Sequence, residues 1–406
     1  MKRIFPIFLY LLCLTSPSQK AFTEYWANGK KATEGFRTDK GTRIGTWTWY
    51  FTDETIQQTG TYDQDGNKIE TWKTYYPNGQ LQKEICHTGS GENKTYYPNG
   101  QMVSQIAVVD GKKEGECLEW HENGQKRLQS AYKNDLLNGY STWWFPDGKK
   151  DMEGMLKMGK QEGKWTYYYR SNGLKGSEGD FLNGLQQGEW TYYYETSEVW
   201  RKGKYNNGKK EGLWTTYYEN GAKLHEGEYV HDMEEGPWIS RYSDGKTIKT
   251  QGEYLHGNRN GLWETRYEDG KLKSRVEYSK GVKNGVDEEY DSNGKVLRKT
   301  HYQNGIPHGT WEIYHAGNVL QEQGTYRNGK KEGKWKFYSN QGQLLREQSF
   351  KNGVVNGYWE EYDYQGKKTA DGYFKEGKPN GKWNSYDENG KKITTTEFED
   401  GRMITR

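Results

Sequence analysis

The chain has 406 residues, of which 31% are hydrophobic, and aromatic residues alone make up 15% of the chain. So little remains for Leu, Val and Ile that an ordinary aliphatic core is excluded, while 17 Trp, 34 Tyr and 11 Phe argue against a disordered chain. The formal net charge of +3, from 59 Lys and Arg against 56 Asp and Glu, gives no field that would favour nucleic acid.

The first residues are typical of an export signal. Lys2 and Arg3 precede an apolar run, residues 4–14, and a small residue at Ser18 predicts cleavage after it. The run is shorter than the roughly 20 residues that a membrane-spanning helix needs. An uncleaved anchor and a lipid attached to Cys13 are the alternatives.

These observations divide the chain into a signal peptide, residues 1–18, and a mature part, residues 19–406. We expect the mature part to be periplasmic, on the cell surface or extracellular, and to have no transmembrane segment after cleavage.

A repeat of about 24 residues fills nearly all of the mature chain. Its most regular copies read GKWTYYYRSNG from Gly163, GLWTTYYENG from Gly212 and GKWKFYSNQG from Gly333. We call the place of the tryptophan the indole position. It is occupied by Trp165, Trp190, Trp214, Trp238, Trp263, Trp311, Trp335, Trp359 and Trp383. In more divergent copies it holds Trp47, Trp72, Asn93, Cys117, Ser141 and Asp287.

Each repeat carries a second turn signal half a period away, as in GKYNNG from Gly203 and GTYRNG from Gly324. Asn-Gly between segments rich in Trp, Tyr and Thr favours a type I′ hairpin turn, which needs positive φ at both central residues. Two turns in every 24 residues leave no room for helices. The sequence therefore predicts an all-β fold, an elongated antiparallel meander of about fifteen 24-residue β-hairpin repeats in a single twisted sheet.

Strand alternation assigns the aromatic residues to faces. Gly163, Trp165, Tyr167 and Tyr169 should share one face, where we expect the tryptophans to form a structural ladder and the Gly163 column to let each indole lie over bare backbone. Tyr168 should point to the other face. There its column is the candidate binding surface, because an exposed row of rings can stack on sugars or grip a peptide. The column comprises Tyr168, Tyr193, Tyr217, Tyr338, Tyr362 and Tyr386.

The stretch GKWTYYYRSNGLKGSEGDFLNG, residues 163–184, resembles the MORN-repeat variant of bacterial type that also occurs in the YwqK-like antitoxin family. The resemblance covers roughly residues 24–406. Ordinary MORN repeats have Tyr-Glu-Gly-x-Trp, whereas here the tryptophan follows Gly-x and the other strand reads Glu-Gly-Glu-Tyr, as at residues 226–229. The resemblance implies a β-hairpin array and a role in protein scaffolding, dimerisation or lipid contact, and the variant family adds antitoxin activity.

No catalytic, metal-binding or cofactor-binding residues are predicted. His301, His308 and His315 recur at seven-residue steps, but a strand, a turn and a strand end are poor places for a ligand trio. Cys86 and Cys117 fall three strands apart in a meander, so we expect free thiols.

Three short irregular stretches, residues 86–91, 195–199 and 315–317, are either turn variants or binding spots. None is long enough to build a pocket for catalysis.

These features favour an exported, non-enzymatic repeat protein that binds a protein partner, of unknown identity, through its aromatic-rich sheet. One alternative is a module that binds cell-wall or surface glycan. Another is an antitoxin-like protein that neutralises a partner toxin.

Overall fold

The computed structural model describes residues 19–404. The predicted signal peptide, residues 1–18, lies outside the described residues, together with Cys13. Within the described part, every regular element is a β-strand. The 35 strands belong to one open antiparallel sheet, so the predicted all-β fold of hairpin repeats is confirmed.

The described residues divide into two compact units, 19–186 and 187–404. In the first unit the strands pair in chain order, and the short β11 and the following β12 both pair with β10. Its strands are β1 (Lys20–Tyr25), β2 (Lys31–Arg37), β3 (Arg43–Tyr50), β4 (Ile56–Tyr62), β5 (Lys68–Tyr75), β6 (Leu81–Cys86), β7 (Ser90–Tyr96), β8 (Met102–Val109), β9 (Lys112–Trp120), β10 (Lys126–Lys133), β11 (Leu136–Leu137), β12 (Gly139–Trp144), β13 (Lys150–Lys157), β14 (Lys160–Tyr168) and β15 (Lys175–Leu182).

The second unit repeats the same meander, and its first strand begins two residues before the boundary. Its strands are β16 (Leu185–Tyr193), β17 (Val199–Asn206), β18 (Lys209–Tyr217), β19 (Lys223–Val230), β20 (Met233–Arg241), β21 (Ile248–Leu255), β22 (Asn258–Arg266), β23 (Leu272–Ser279), β24 (Val282–Tyr290), β25 (Val296–Gln303), β26 (Ile306–His315), β27 (Val319–Arg327), β28 (Lys330–Tyr338), β29 (Leu344–Lys351), β30 (Val354–Tyr362), β31 (Lys368–Lys375), β32 (Lys378–Pro379), β33 (Gly381–Tyr386), β34 (Lys392–Glu399) and β35 (Arg402–Ile404).

Two kinds of hairpin turn alternate along the chain. At the short turn after β17, Asn207 and Gly208 both have positive φ, 50° and 78°, as a type I′ turn requires. At the long turn after β18, the N–H of Gly221 donates to the carbonyl of Tyr218 at 2.9 Å, and Gly221 has positive φ while Asn220 does not. The type I′ expectation therefore holds at the short turns and is wrong at the long ones.

A β-bulge precedes the indole position in each regular repeat. Trp165 pairs with Gly154, but Met155 pairs with Glu162, so Gly163 and Lys164 are extra residues on their strand. Gly163 has φ of 63°, and a Cβ added there would meet nothing within 4 Å. Glycine is therefore needed here for its backbone conformation and not for space.

Side chains of the preceding repeat cap most of the short turns in the second unit. The carboxylate of Glu211 accepts the N–H of His231 at 3.1 Å, and Glu332 accepts the N–H of Asn352 at 2.9 Å. This cap explains why Glu so often stands three residues before the tryptophan, since an unpaired turn N–H would otherwise depend on water.

Tyrosines join the long turns in the same way. The hydroxyl of Tyr194 donates to the carbonyl of Tyr217 at 2.8 Å, and that of Tyr218 donates to the carbonyl of Arg241 at 2.9 Å. Side-chain hydrogen bonds therefore connect neighbouring repeats along both edges of the meander, and the residues that make them belong to the repeat motif.

Candidate functional site

The sheet has two chemically different faces. We call the face that carries Trp165, Trp214 and Trp335 the indole face, and the face that carries Tyr168, Tyr217 and Tyr362 the phenol face. The register of β14 with β15 pairs Trp165 with Gly179, Thr166 with Glu178 and Tyr167 with Ser177. Because successive side chains of a strand point to opposite faces, Trp165 and Tyr167 lie on the indole face and Thr166 lies on the phenol face.

On the indole face each regular tryptophan lies over a glycine of the preceding strand. A Cβ at Gly154 would come within 2.4 Å of the Trp165 ring, and one at Gly203 within 2.2 Å of the Trp214 ring. The expectation that the Gly163 column provides the bare backbone is therefore wrong, because that glycine shapes the bulge. The glycine eleven residues before the tryptophan provides the space.

The indole N–H also has a fixed partner. Trp165 Nε1 donates to the carbonyl of Met155 at 3.1 Å, and Trp214 Nε1 donates to that of Lys204 at 3.1 Å. In both cases the carbonyl belongs to the residue that follows the glycine, where the bulge interrupts the strand ladder. The ring therefore fills the glycine gap and satisfies a carbonyl in the interrupted part of the ladder.

Rings of the intervening strands stand between successive tryptophans. The Tyr205 ring lies 6.1 Å from Trp190 and 5.1 Å from Trp214, and it is nearly perpendicular to both. Tyr229 joins Trp214 to Trp238 in the same edge-to-face manner, at 6.2 and 5.3 Å. Edge-to-face rings at these distances attract one another beyond their hydrophobic burial.

The tryptophans of the ladder differ in burial. Trp165, Trp190, Trp214, Trp263 and Trp335 are buried. Trp238, Trp311, Trp359 and Trp383 are half-buried. Trp311 pairs with Thr300 and Trp359 with Gln348, so these two lie against side chains where the regular repeats have glycine.

Where tryptophan is missing, its glycine partner is missing too. Cys117 pairs with Ile106 in a small aliphatic cluster that also contains Leu128. Asp287, only 1% exposed, pairs with Val276 and binds Lys283 Nζ at 2.5 Å. In these two repeats, two side chains of intermediate size take the place of a tryptophan and a glycine.

The cysteines occupy buried positions on different strands. Cys86 ends β6 and Cys117 lies in β9, three strands further along, and both are free thiols. Burial raises the pKa of Cys117 to about 12.

The candidate binding column of tyrosines lies on the phenol face, and its rings are half-buried. Tyr168 donates to Glu153, Tyr362 to Glu360 at 2.8 Å, and Tyr386 to Asp371 at 2.7 Å. Tyr338 instead accepts from Gln323 Nε2 at 3.0 Å, and Lys202 lies over the Tyr217 ring. Tyr193 occupies the equivalent place on β16. The hydroxyls of Tyr168, Tyr338, Tyr362 and Tyr386 are therefore held within a network of polar side chains.

In Tyr168 and Tyr362, burial and then the hydrogen bond to the carboxylate partner raise the pKa of the phenol, to about 12 in Tyr362. These two phenols are therefore protonated donors at neutral pH.

Ion pairs cover the phenol face between the tyrosines. Glu226 binds Lys223 Nζ at 2.7 Å and Arg241 Nη2 at 2.8 Å. Glu347 binds Lys334 Nζ at 2.9 Å. Since most of these pairs are partly exposed, each adds little to stability, but together they keep the face hydrated.

The same face has shallow depressions at equivalent places in three repeats. One of about 230 Å³ is lined by Glu189, Lys202, Lys204, Leu213 and Thr215. A second, of about 200 Å³, lies five repeats further at Thr310, Glu312, Gln323, Thr325 and Lys334. The third, in the first unit, is lined by Thr23, Glu34, Phe36, Thr46 and Thr48.

Large apolar side chains are exposed on this face just before the indole position. Leu213 is 55% exposed, Leu262 43%, Tyr140 59% and Tyr358 72%. These residues could not be singled out from the sequence, because a variable position within a repeat has no periodic signal. Their signal is an apolar residue where other copies have Lys or Glu, as Lys164 and Glu189 show.

The three histidines at seven-residue steps each have a different hydrogen-bond partner. His301 Nδ1 shares a hydrogen bond with Thr310 Oγ1 at 2.7 Å, and His315 Nε2 lies 3.2 Å from the carbonyl of Tyr338. Asn328 N donates to His308 Nδ1 at 3.4 Å, so His308 fills the turn-capping place. Among residues 19–404 no group of three or more His, Cys, Asp or Glu could hold a metal ion.

The irregular stretches are turn variants or interrupted strand ends. Ser197 has φ of 79° in the turn that lacks Asn-Gly, and Thr196 Oγ1 donates to Glu219 at 2.8 Å. At the first stretch, the side chain of Asn93 accepts the N–H of Cys86 at 2.8 Å. In the third, Gly317 and Asn318 both have positive φ. In the part of the chain that the structure describes, no helix is long and apolar enough to cross a membrane.

Comparison with solved structures gives distant similarities. The chain is 12% identical to a chain of the TcdB2-TccC3 crystal structure, covering 90% of this chain and 24% of that one with a TM-score of 0.16. The chain is 11% identical to a chain of the Tc holotoxin pore of Photorhabdus luminescens with the TccC3-D651A mutation. That match covers 90% of this chain and 23% of the other, with a TM-score of 0.15. This chain thus spans about a quarter of the length of the solved chains it matches. No curated protein matches it.

The family model described as the MORN repeat variant matches ten segments, and together they cover more than half of the chain. They are residues 71–88, 90–108, 113–134, 186–207, 210–231, 259–280, 283–304, 307–328, 331–352 and 379–400. Several begin within a strand, a few residues before its indole position, and end at the first residue of the next short turn, so each contains one long-turn hairpin. The chain therefore belongs to the MORN repeat variant family.

Proposed function

We propose that the chain is an exported, non-enzymatic scaffold that binds a protein partner along its phenol face. The observation that carries this proposal is the set of exposed apolar side chains at Leu213, Leu262 and Tyr358, on a face that also carries Lys–Glu ion pairs such as Lys223–Glu226 and Lys334–Glu347. Protein interfaces combine a few apolar or aromatic anchors with a polar rim. The depression beside Leu213 offers room for a partner side chain.

The tyrosine column contributes the frame of this surface. Tyr362 and Tyr386 are tied to carboxylates, so their rings are fixed in place before a partner arrives. Fixed rings lose little conformational freedom on binding, which favours affinity. A scaffold role also agrees with the repeat architecture, since stacked repeats present long regular surfaces.

The binding test uses the full mature chain as bait in an extract of the cell envelope, with covalent cross-linking and mass spectrometry. Leu213→Glu and Tyr358→Glu should each reduce capture of the specific partner, because a carboxylate would replace an apolar anchor. The matched control is Val354→Glu, which changes a side chain that is 46% exposed at a short turn. Equal capture by all variants, or turnover of a substrate by the purified chain without a partner, would refute the proposal.

Export is supported by the sequence of residues 1–18 and is tested separately. Fractionation should recover the chain outside the cytoplasm, with an amino terminus at Gln19. Recovery of the uncleaved chain in the cytosol would contradict export and would favour the antitoxin-like alternative.

A further inference from the structure

The indole face has an open trough in the second unit where a second column of rings is interrupted. Beside Trp190 stands Tyr192, with ring centroids 6.0 Å apart, and beside Trp335 stands Phe337 at 6.4 Å. Arg201 lies 4.3 Å over the Tyr192 ring, which closes this part of the face further. Tyr192 and Phe337 stand two residues after their tryptophans, and we call this place the cover position.

In three successive repeats the cover position holds only a small hydroxyl residue. These residues are Thr216, Ser240 and Thr265. The strands between them continue the same row, since Thr216 pairs with His225, His225 with Ser240, and Ser240 with Thr250. The row therefore consists of hydroxyl side chains and one imidazole, without a carboxylate.

The missing rings leave a cavity of about 200 Å³ beside the ladder. Its walls include His225, Trp238, Ser240, Thr250, Arg259 and Trp263. Trp238 is half-buried, whereas Trp190 and Trp335, which have covering rings, and Trp263, which lies under the Arg259 guanidinium, are buried. Part of an indole surface is thus accessible in a polar setting.

The polar groups of the trough are available to a ligand. In residues 19–404 the hydroxyls of Ser240, Thr250 and Thr265 make no hydrogen bond to other protein groups. Burial, and then the nearby charge of Lys210, lowers the pKa of His225, so its imidazole is neutral at pH 7 and can both donate and accept. An accessible ring beside several free hydroxyls needs a ligand that is flat and apolar on one side and rich in hydroxyls at its rim.

We propose that this trough binds an oligosaccharide of β-linked pyranoses, with one sugar ring stacked on Trp238 in the place that Tyr192 occupies beside Trp190. Equatorial hydroxyls leave the two faces of such a sugar flat and C–H rich, which suits an indole, and the hydroxyls reach Ser240, Thr250 and His225 at the rim. A partner's aromatic side chain would stack equally well but would leave the trough hydroxyls without partners, and that costs binding free energy.

Only one sugar of a bound chain would stack on an indole. Trp214 and Trp263, on the neighbouring alternate strands, are buried. Further pyranoses running across the strands would therefore meet the hydroxyls of Thr216 and Thr265 and not a second accessible ring.

The test measures binding of cellohexaose and chitohexaose to the full chain by calorimetry and tryptophan fluorescence, with α-linked maltohexaose for comparison. At least one β-linked probe should bind saturably and shift the tryptophan emission. Ser240→Tyr, which supplies the missing covering ring, should weaken that binding by about tenfold or more. Thr265→Tyr, beside Trp263, serves as a second variant if Ser240→Tyr does not fold.

The matched control is Glu361→Tyr, which adds the same ring at the cover position of the Trp359 repeat, outside the trough. It should leave the affinity unchanged. Absence of saturable binding by both β-linked probes, tighter binding of maltohexaose, or unchanged affinity in folded Ser240→Tyr would overturn the proposal. Leu213→Glu, on the opposite face, should not alter sugar binding, so failure here is distinguishable from failure of the proposed protein interface.

Discussion

At the scale of single residues, two glycines of one repeat are needed for different reasons. Gly154 leaves space for the Trp165 ring, whereas Gly163 adopts positive φ within the bulge and has open space around its Cα. Glycine recurs at both places in the regular repeats, yet only the first glycine lies against the tryptophan ring.

Substitution separates the two reasons. Gly154→Ala should lower the free energy of unfolding by about 1–3 kcal/mol, because its Cβ overlaps the indole. In a Trp165→Ala background the same change should cost almost nothing. Gly163→Ala should cost about 1–2 kcal/mol in both backgrounds, since the left-handed backbone is strained for alanine. Urea unfolding of the six chains measures these values, and an equal cost of Gly154→Ala in both backgrounds would contradict the assignment.

The phenol face also gives the fold an alkaline limit. Burial and a Glu partner raise the pKa of Tyr290, Tyr314 and Tyr362 to about 12 in the folded chain, above the ordinary value near 10. A raised pKa means that the folded chain favours the protonated phenol. The contribution of these phenols to the free energy of unfolding is therefore fully present below about pH 10 and is lost as the pH rises through about 12.

Urea unfolding as a function of pH tests this expectation. The triple change of these tyrosines to Phe should flatten the fall in stability between about pH 10 and 12. The control is Tyr364→Phe, at a side chain that is 66% exposed. An identical pH dependence in the triple variant and the parent chain would show that other groups set the alkaline limit.

At the scale of elements, the unit of packing is a pair formed by an indole position and the residue opposite it on the preceding strand. The pair is Trp165 with Gly154 in a regular repeat, and Cys117 with Ile106 or Asp287 with Val276 in the exceptions. In the regular repeat a large residue thus faces a small one, and in these two exceptions two intermediate residues share the space. The hairpins therefore tolerate exchange of the pair more easily than exchange of one member.

The Asp287 repeat provides a direct test of paired exchange. Asp287→Trp should destabilise the chain, because the indole would meet Val276 and because Lys283 and Arg298 would lose their buried carboxylate. Adding Val276→Gly should recover about 1 kcal/mol or more by opening the space that Trp263 and its equivalents have over glycine. Thermal unfolding compares the two variants. No recovery in the double variant would show that the lost ion pairs, and not the overlap, dominate.

The hairpins, their period and their short turns were predictable from sequence, because Asn-Gly turns and alternating aromatics are local signals. The role of Gly154 was not, since its contact with Trp165 joins residues of two strands and a β-bulge shifts the register between them. The trough around Ser240 was also missed. It depends on which repeats lack a covering ring, and this becomes visible only when neighbouring strands are placed side by side.

At the scale of the whole molecule, stability should be a sum of similar contributions between neighbouring repeats. Each repeat of the second unit joins the next by strand pairing, by the turn cap from residues such as Glu332, and by the rings on either side of Trp335. In such an array we expect a deletion to be tolerated when it removes a whole repeat, because the remaining repeats then keep their contacts with one another.

Deletion of whole and half repeats tests this rule. Removing residues 331–354 takes out one full period and places Trp359 over Gly324, so the short turns and bulges stay in phase. This chain should fold and keep the β-sheet circular dichroism per residue. Removing residues 331–342 deletes only one strand and its long turn, so two short turns would follow each other on opposite edges and the strand between them would carry no indole. It should unfold at a lower urea concentration than the longer deletion, although fewer residues are lost. Equal stability of the two chains would show that the period does not govern the packing.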